Sequence, residues 1–439
     1  MRTKNSVLLA GVAFGVLTSG MGDALAGGFA IREQSVYGQG ASFAGIAAGG
    51  ALSGMFWNPA VMTQFSGINF EAGLAGILPS AEHSFSASTL ATAIPPLYGF
   101  GVSDSGRDAL VPSLYVSYQL SERFWLGISV NAPFGLSVAF PTNWAGAGYG
   151  QNSSLKSYNA SPSIAFKVNE WLSLAAGVQI QYMDVSYDGL LAPLPPSKFN
   201  IGGTGWGWGW TVGATLTPTP TTTIGIGYRS AIDQEIDGTL DVPPLPLTTP
   251  GSVSLTLKLP ATLTVGLRQR IGERFTLLAG FEWAEWSRIG TPAVLSAGGT
   301  AMVLGTPLNL PFQYSDGFFY SIGGEYAIDP SLTVRAGFAY EQSPITDRVR
   351  TPRLPDNDRF WYSVGASYKP AVFPGLSFDL AYSFIDVDST PINISATSGN
   401  PWFNASGTYI GTVNSNVHIL SLGARFQLNP PPPVLVTKG

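Results

Sequence analysis

Apolar and polar residues alternate with a period of two along most of this chain, yet after the first two dozen residues it contains no long apolar run. Crossing a bilayer as a helix takes about 18 to 20 consecutive apolar residues, so helical spans are excluded. In one stretch Leu376, Phe378, Leu380, Tyr382 and Phe384 alternate with Ser377, Asp379, Ala381 and Ser383. In another, Leu332, Val334, Ala336 and Phe338 alternate with Thr333, Arg335, Gly337 and Ala339. A third sets Leu172, Leu174, Ala176, Val178 and Ile180 against Ser173, Ala175, Gly177, Gln179 and Gln181. Such a period puts the two sets on opposite faces of a strand. A soluble sandwich alternates too, so composition has to decide. Charged residues make up only 11 % of the chain and hydrophobic ones 45 %, where a soluble domain carries about a quarter charged. A chain this apolar without apolar runs exposes its apolar side chains every second residue, as a transmembrane barrel does. The polar set is also small, which suits a crowded lumen better than a solvated face.

Fourteen candidate strands lie at about 67–78, 109–120, 122–138, 153–168, 171–187, 204–217, 220–237, 251–270, 273–289, 314–328, 331–346, 358–369, 375–389 and 414–428. Tight links such as Leu120-Ser121-Glu122, Val168-Asn169-Glu170, Ile271-Gly272-Glu273 and Asp329-Pro330-Ser331 alternate with longer ones near 79–108, 188–203, 290–313 and 390–413. Short periplasmic turns and long outer loops are the asymmetry of an outer-membrane barrel. The expected architecture is all-β: a 14-stranded antiparallel transmembrane β-barrel over 67–428.

Residues 1–26 read as a secretory signal peptide. Arg2 and Lys4 give a positive start, Val7 to Leu17 an apolar stretch, and Ala24-Leu25-Ala26 a small-residue cleavage site that leaves Gly27 first. A membrane anchor is the alternative, but the apolar stretch is short for one. Residues 27–66 precede the first strand. Phe29, Ile31, Val36, Tyr37, Phe43, Ile46, Phe56 and Trp57 are too many apolar anchors for a solvated tail, so a plug folded into the lumen is expected. Residues 429–439, with Pro430 to Pro433, read as a periplasmic tail. The absence of Cys fits an exported barrel, and a net charge of −5 without a basic stripe argues against nucleic acid.

Gly28-Phe29-Ala30-Ile31, Gly38-Gln39-Gly40-Ala41-Ser42 and Asn58-Pro59-Ala60 resemble the N-terminal segment of the FadL family of long-chain fatty acid and hydrocarbon transporters. So do Gly205-Trp206-Gly207-Trp208-Gly209-Trp210, Tyr228-Arg229-Ser230, Leu257-Lys258-Leu259-Pro260, and above all Pro355-Asp356-Asn357-Asp358-Arg359-Phe360-Trp361 with Ser363-Val364-Gly365. The resemblance implies a hatch (plug) in the lumen, a pocket filled by an early aromatic at Phe29, and an inward kink of the third strand. It marks Phe29, Ile31, Asn58, Pro59 and Ala60 as pocket or plug residues. Asn131-Ala132-Pro133-Phe134-Gly135 interrupts the third strand's alternation. Pro133 lacks a ladder donor and Gly135 permits a bend, so Asn131, Pro133, Phe134 and Gly135 are the candidate lateral-opening kink. A plain bulge or a strand end at the rim is the other reading.

Phe140, Trp144 and Tyr149, in the connection after that strand, are candidates for an extracellular groove or, equally, for interfacial belt aromatics. No Lys or Arg lies between Lys167 and Lys198 or between Arg288 and Arg335. The pocket is therefore expected to lack cations and to accept neutral hydrocarbons as well as, or instead of, fatty acids. Enzymatic chemistry is not expected. The two histidines are His83, read as a loop residue, and His418, whose neighbour Ser421 falls on the opposite face of its strand. No metal or cofactor is implied. Asp356, Asp358 and Asp388 read as solvated loop charges rather than a cation site, with Arg359 pairing to them at the rim. The expected function is passive uptake of hydrophobic small molecules, fatty acids or hydrocarbons, by a monomer set among outer-membrane lipids by the barrel-assembly machinery. A general diffusion porin and a surface barrel for adhesion or phage attachment are the alternatives.

Overall fold

A computed structural model describes residues 27–190, 198–242, 251–296, 299–300, 302–303 and 306–428; the expected signal peptide and Pro-rich tail lie outside them. Fourteen antiparallel strands form one closed barrel. They are β1 (Ile68–Ser88), β2 (Ala109–Gln119), β3 in two pieces (Phe124–Asn131 and Gly135–Val138), β4 (Ser153–Lys167), β5 (Leu172–Leu190) and β6 (Lys198–Thr219). β7 (Thr222–Arg229 and Ile232–Asp241) and β8 (Gly251–Leu259 and Thr262–Ile271) are also broken. β9 (Phe275–Ala284), β10 (Gly317–Ala327), β11 (Leu332–Gln342), β12 (Arg359–Tyr368), β13 (Leu376–Ile394) and β14 (Tyr409–Leu428) complete the wall. β14 pairs with β1 from Ile68↔Leu428 to Ser88↔Tyr409, which closes the sheet and leaves no free edge there.

The alternation is inside out relative to a soluble protein. On β13 Phe378, Leu380 and Tyr382 are exposed, while Ser377, Asp379, Ala381 and Ser383 are buried. Outward rings follow one another around the wall: Phe281, Tyr320, Tyr340 and Phe360 at one level, Phe338, Tyr362, Phe384 and His418 at the next. Trp206, Trp208 and Trp210 face out from β6. These rings form a girdle at the lipid–water boundary.

Several expectations about connections are corrected. β1, β5, β6, β13 and β14 run well into segments read as loops, because their alternation continues in shorter, more polar residues. His83 therefore lies on β1, not in a loop. Conversely, the connection expected at 347–357 is longer, spanning 343–358, and it folds back into the barrel with Arg350, Arg353, Asp356 and, at the start of β12, Arg359 all buried.

The plug fills the lumen. A short helix α1 (Val36–Gln39), capped by Ser35, is followed by 3₁₀ turns at Ile46–Ala48, Leu52–Phe56 and Pro59–Gln64. The wall accepts it where glycines face inward. A Cβ on Gly337 would stand 2.1 Å from the carbonyl carbon of Ala41, and one on Gly225 would stand 1.8 Å from the carbonyl oxygen of Ala47. At the base, Tyr37 is stacked on the Arg335 guanidinium, 3.8 Å from its ring centre. There Arg268 and Arg335 pair with Glu325 at 2.8 and 3.0 Å, and Arg425 with Asp379 at 2.7 Å. Separating buried charges paired in this way is strongly unfavourable, because each would be left uncompensated.

Candidate functional site

β3 breaks at Ala132-Pro133-Phe134, and the break decides the site's shape. The β2–β3 ladder runs from Gln119↔Trp125 to Leu114↔Val130 and then stops. Residues 109–113 of β2 stay paired to β1, and the second piece of β3 stays paired to β4. Asn131, Ala132, Pro133 and Gly135 are all buried, so the segment bends into the lumen. Its polar groups are met there. Asn131 donates to the Tyr115 hydroxyl at 2.7 Å and to Gln34 Oε1 at 3.2 Å, and Gln34 donates to the Ala132 carbonyl at 2.8 Å. The Phe134 amide donates to Ser157 Oγ at 2.8 Å.

The N-terminal segment supplies the missing strand partner. The Ile31 amide donates to the Pro133 carbonyl at 2.8 Å, and the Gly135 amide donates to the Phe29 carbonyl at 2.9 Å. Ala30 and Phe134 form an antiparallel bridge. The Phe29 ring packs edge-on to Trp286 at 4.7 Å and to Phe134 at 6.1 Å, with Trp286 and Phe134 also 6.1 Å apart. This aromatic triad stands between two cavities.

The first cavity, about 920 Å³ with its mouth included, is lined by Phe29, Leu136, Ile236, Leu257, Phe312, Tyr314 and Ile345 among others. One end is polar. Arg353 donates to the main-chain oxygens of Gln151, Asn152 and Asp188 at 3.1, 3.0 and 2.7 Å and touches Ser153 Oγ, and its plane lies 3.8 Å from the Tyr187 ring centre. Burial holds this guanidinium below the ordinary arginine value, with Tyr187 and Asp188 opposing the shift. The second cavity, about 850 Å³, adjoins the β3 break. Its lining includes Ala30, Ile31, Pro133, Phe134 and Trp286, with Arg32, Arg229, Glu282 and Glu341 as charged members. Arg229 donates to the Phe56 carbonyl at 3.0 Å and lies 4.3 Å from that ring's centre.

The sequence that builds this barrel matches a family model, "Outer membrane protein transport protein (OMPP1/FadL/TodX)", over residues 17–428. The chain belongs to that family. The long-chain fatty acid transport protein of Salmonella typhi is 25 % identical to it, over 83 % of this chain and 89 % of the relative. A crystal structure of a Pseudomonas aeruginosa FadL homologue superposes with a TM-score of 0.82 at 24 % identity, covering 91 % of this chain and 99 % of the other. The Pseudomonas putida toluene transporter TodX superposes with a TM-score of 0.64 at 18 % identity, covering 91 % and 99 %. The two likenesses establish a shared fold, and this FadL-family chain is an outer-membrane protein.

The expected site residues divide into three groups. Phe29, Ile31, Pro133 and Phe134 come together at the cavities, and Asn131 and Gly135 support the bend. Asn58, Pro59 and Ala60 line neither cavity. Asn58 caps the Pro59–Gln64 turn through the Ala60 amide at 3.0 Å and donates to the carbonyls of Ala47 and Ala214 at 2.7 and 2.9 Å. It rivets plug to wall rather than shaping a pocket. Phe140, Trp144 and Tyr149 form neither a groove nor a belt, because loop packing buries all three. Trp144 stacks on Phe140 at 5.0 Å, and the Tyr149 hydroxyl donates to the Gly407 carbonyl at 2.5 Å. They are part of a packed extracellular cap.

The expected absence of pocket cations is overturned by Arg353 and Arg229, which reach the cavities from outside the two intervals lacking Lys and Arg. Asp356 is likewise no solvated loop charge. It is buried, paired with Arg359, and accepts from the Gly28 amide at 3.0 Å. His83 Nε2 lies 2.7 Å from Ser105 Oγ, but Ser105 lines neither cavity. Trp286, Phe312, Tyr314 and Arg353 went unassigned in the sequence, whereas Arg229 and Asp356 stand inside motifs that carried the family resemblance.

Proposed function

We propose that this protein admits hydrophobic molecules, long-chain fatty acids or aromatic hydrocarbons, passively across the outer membrane. The apolar cavity under the extracellular cap, ended by one buried guanidinium, carries this reading. An apolar molecule exposed to water loses about 25 cal/mol for each Å² wetted, so a greasy cavity gives it what an aqueous pore does not. The plug argues against a general diffusion porin, and the depth of the cavity argues against a purely surface role. Passage runs from the first cavity, past Phe29, Phe134 and Trp286, to the second. Exit is sideways through the β2–β3 gap into the membrane, without a cofactor and without chemistry. The relatives named for fatty acids and toluene support both classes of cargo.

Arg353 makes a free carboxylate the better-held ligand. Binding of a long-chain fatty acid and of its methyl ester to the purified protein tests this. The acid is expected to bind at least tenfold tighter, and Arg353→Met to erase that preference while leaving ester binding in place. Tight binding of neither class would refute the uptake reading. Equal affinities would refute the role of Arg353 alone.

A further inference from the structure

Gly27 lies directly on a carboxylate. A Cβ at this position would stand 2.5 Å from Glu341 Oε1, the tip of that side chain, so the main chain passes close beside the acid. The next amide, that of Gly28, donates to Asp356 Oδ2 at 3.0 Å. Gly28 has a left-handed φ of 66° and presses on the Trp286 ring. The first described residues are therefore held by acids at two successive positions.

Buried acids crowd around them. Four buried or nearly buried carboxylates meet here: Glu33, Glu282, Glu341 and Asp356. Two guanidiniums pair with three of them, Arg229 is buried near Glu282, and Glu33 favours its protonated form. Arg32 pairs with Glu282 at 2.9 Å and with Glu341 at 3.4 Å, while Arg359 pairs with Asp356 and lies 3.8 Å from Glu341. Arg350 touches Asp356 only through its carbonyl oxygen and has its own acid in Asp347. Glu33 Oε2 is buried with no hydrogen-bond partner. Glu341 and Asp356 are the acids that border Gly27 and Gly28, and a cation brought against a buried carboxylate favours its charged form and makes the stronger, charge-assisted hydrogen bond.

We propose that export processing supplies a cation at this point: hydrolysis of the Ala26–Gly27 bond leaves the α-ammonium of Gly27 as a counter-ion of Glu341 and Asp356. In this step a peptidase of the exporting cell adds water across the amide. Ala26 leaves as a carboxylate and Gly27 keeps the proton as an ammonium. Before cleavage the same nitrogen is a neutral amide and offers no charge. The segment that carries Phe29 and bridges the β3 break is thus seated by an ion pair that exists only in the processed chain. Leader removal becomes a condition for assembling the site, in addition to releasing the protein.

The test uses full-length protein exported to and purified from outer membranes. Intact mass should place the mature N-terminus at Gly27, unmodified. An amine-reactive reagent selective for α-amines near pH 7 should label Gly27 at least tenfold more slowly in the native protein than after denaturation. Glu341→Gln, and separately one Ala inserted between Ala26 and Gly27, should each raise native labelling tenfold or more. Heat-modifiable migration shows that each variant is folded, and Asp356→Asn replaces Glu341→Gln if the latter fails to assemble. A mature N-terminus elsewhere, fast labelling of the native amine, or labelling unmoved by the folded variants would overturn the proposal. None of these readouts depends on which molecule the barrel passes.

Discussion

Phe29→Ala is the sharpest probe of how the two cavities are kept apart. The side chain is 3 % exposed and makes edge contacts to Trp286 and Phe134. Burying a phenylalanine is worth about 1.5 to 3 kcal/mol, and each favourable ring pair adds about 0.5 to 1.5 kcal/mol. The barrel does not rest on this residue, because its ladder closes without it, so the loss falls on docking of the N-terminal segment. A docking loss of about 3 kcal/mol corresponds to roughly a hundredfold change in the docked-to-undocked ratio. Hydrogen exchange reads that ratio directly, since the Ile31 amide is protected by the Pro133 carbonyl and the Gly135 amide by the Phe29 carbonyl. Both amides should exchange roughly a hundredfold faster in Phe29→Ala, with Phe29→Leu intermediate. Amides of the β13–β14 ladder should not change. Unaltered exchange at Ile31 and Gly135 would refute the claim that the triad holds the segment, and general loss of protection would refute the separation of docking from barrel stability.

Three further outcomes follow from the same structure. Gly337→Val should force the plug off the wall at Ala41, and sugar permeation into liposomes should rise from near zero; an unchanged barrier would mean that the plug is not what blocks the lumen. Asn58→Ala strips a cap and leaves the carbonyls of Ala47 and Ala214 short of a donor, so the plug should lose about 2 kcal/mol and become nicked by protease between residues 45 and 66. Burial, reinforced by Glu341 and opposed by its own backbone hydrogen bond, Arg32 and Arg359, pushes the Glu33 carboxyl up to about 7. The folded site thus favours the protonated form, and its stabilisation is full below about pH 4.5 and lost as pH rises through 7. A seated Gly27 ammonium lowers the upper end of this window. Glu33→Gln should flatten that dependence and stabilise the docked segment at pH 8 by about 3 kcal/mol at most, read by the same exchange experiment from pH 5 to 8.

The wall was far more legible than the site. Outward residues such as Leu380 and Tyr382 answer to lipid alone, so their periodicity survives in the sequence. The strand ends at His83 and Lys198 lie beyond the lipid, where nothing enforces an apolar face, and there the pattern read as loop. Phe29 and the Pro133 break were legible because one rests on a family motif and the other on a residue without an amide. Trp286 and Arg353 were not. Each reaches its cavity from a connection whose path no local pattern encodes, and a long inward fold can carry a guanidinium across an interval that has none. Phe140 and Trp144 misled for the same reason: an aromatic in a loop looks alike whether it lines a groove or seals a cap.

The β3 break carries a consequence for the protein's life outside its folded monomer. Closure of a barrel removes every sticky strand margin, but here a short margin survives on the inner side of the wall, at the Pro133 carbonyl and the Gly135 amide. It is hidden by a segment of the same chain, which works as a removable bandage. Whatever displaces that segment must itself satisfy those two groups, or water must reach them. A chain shortened from its N-terminus would present the bare margin to its neighbours and be prone to self-association during export, before any question of transport arises.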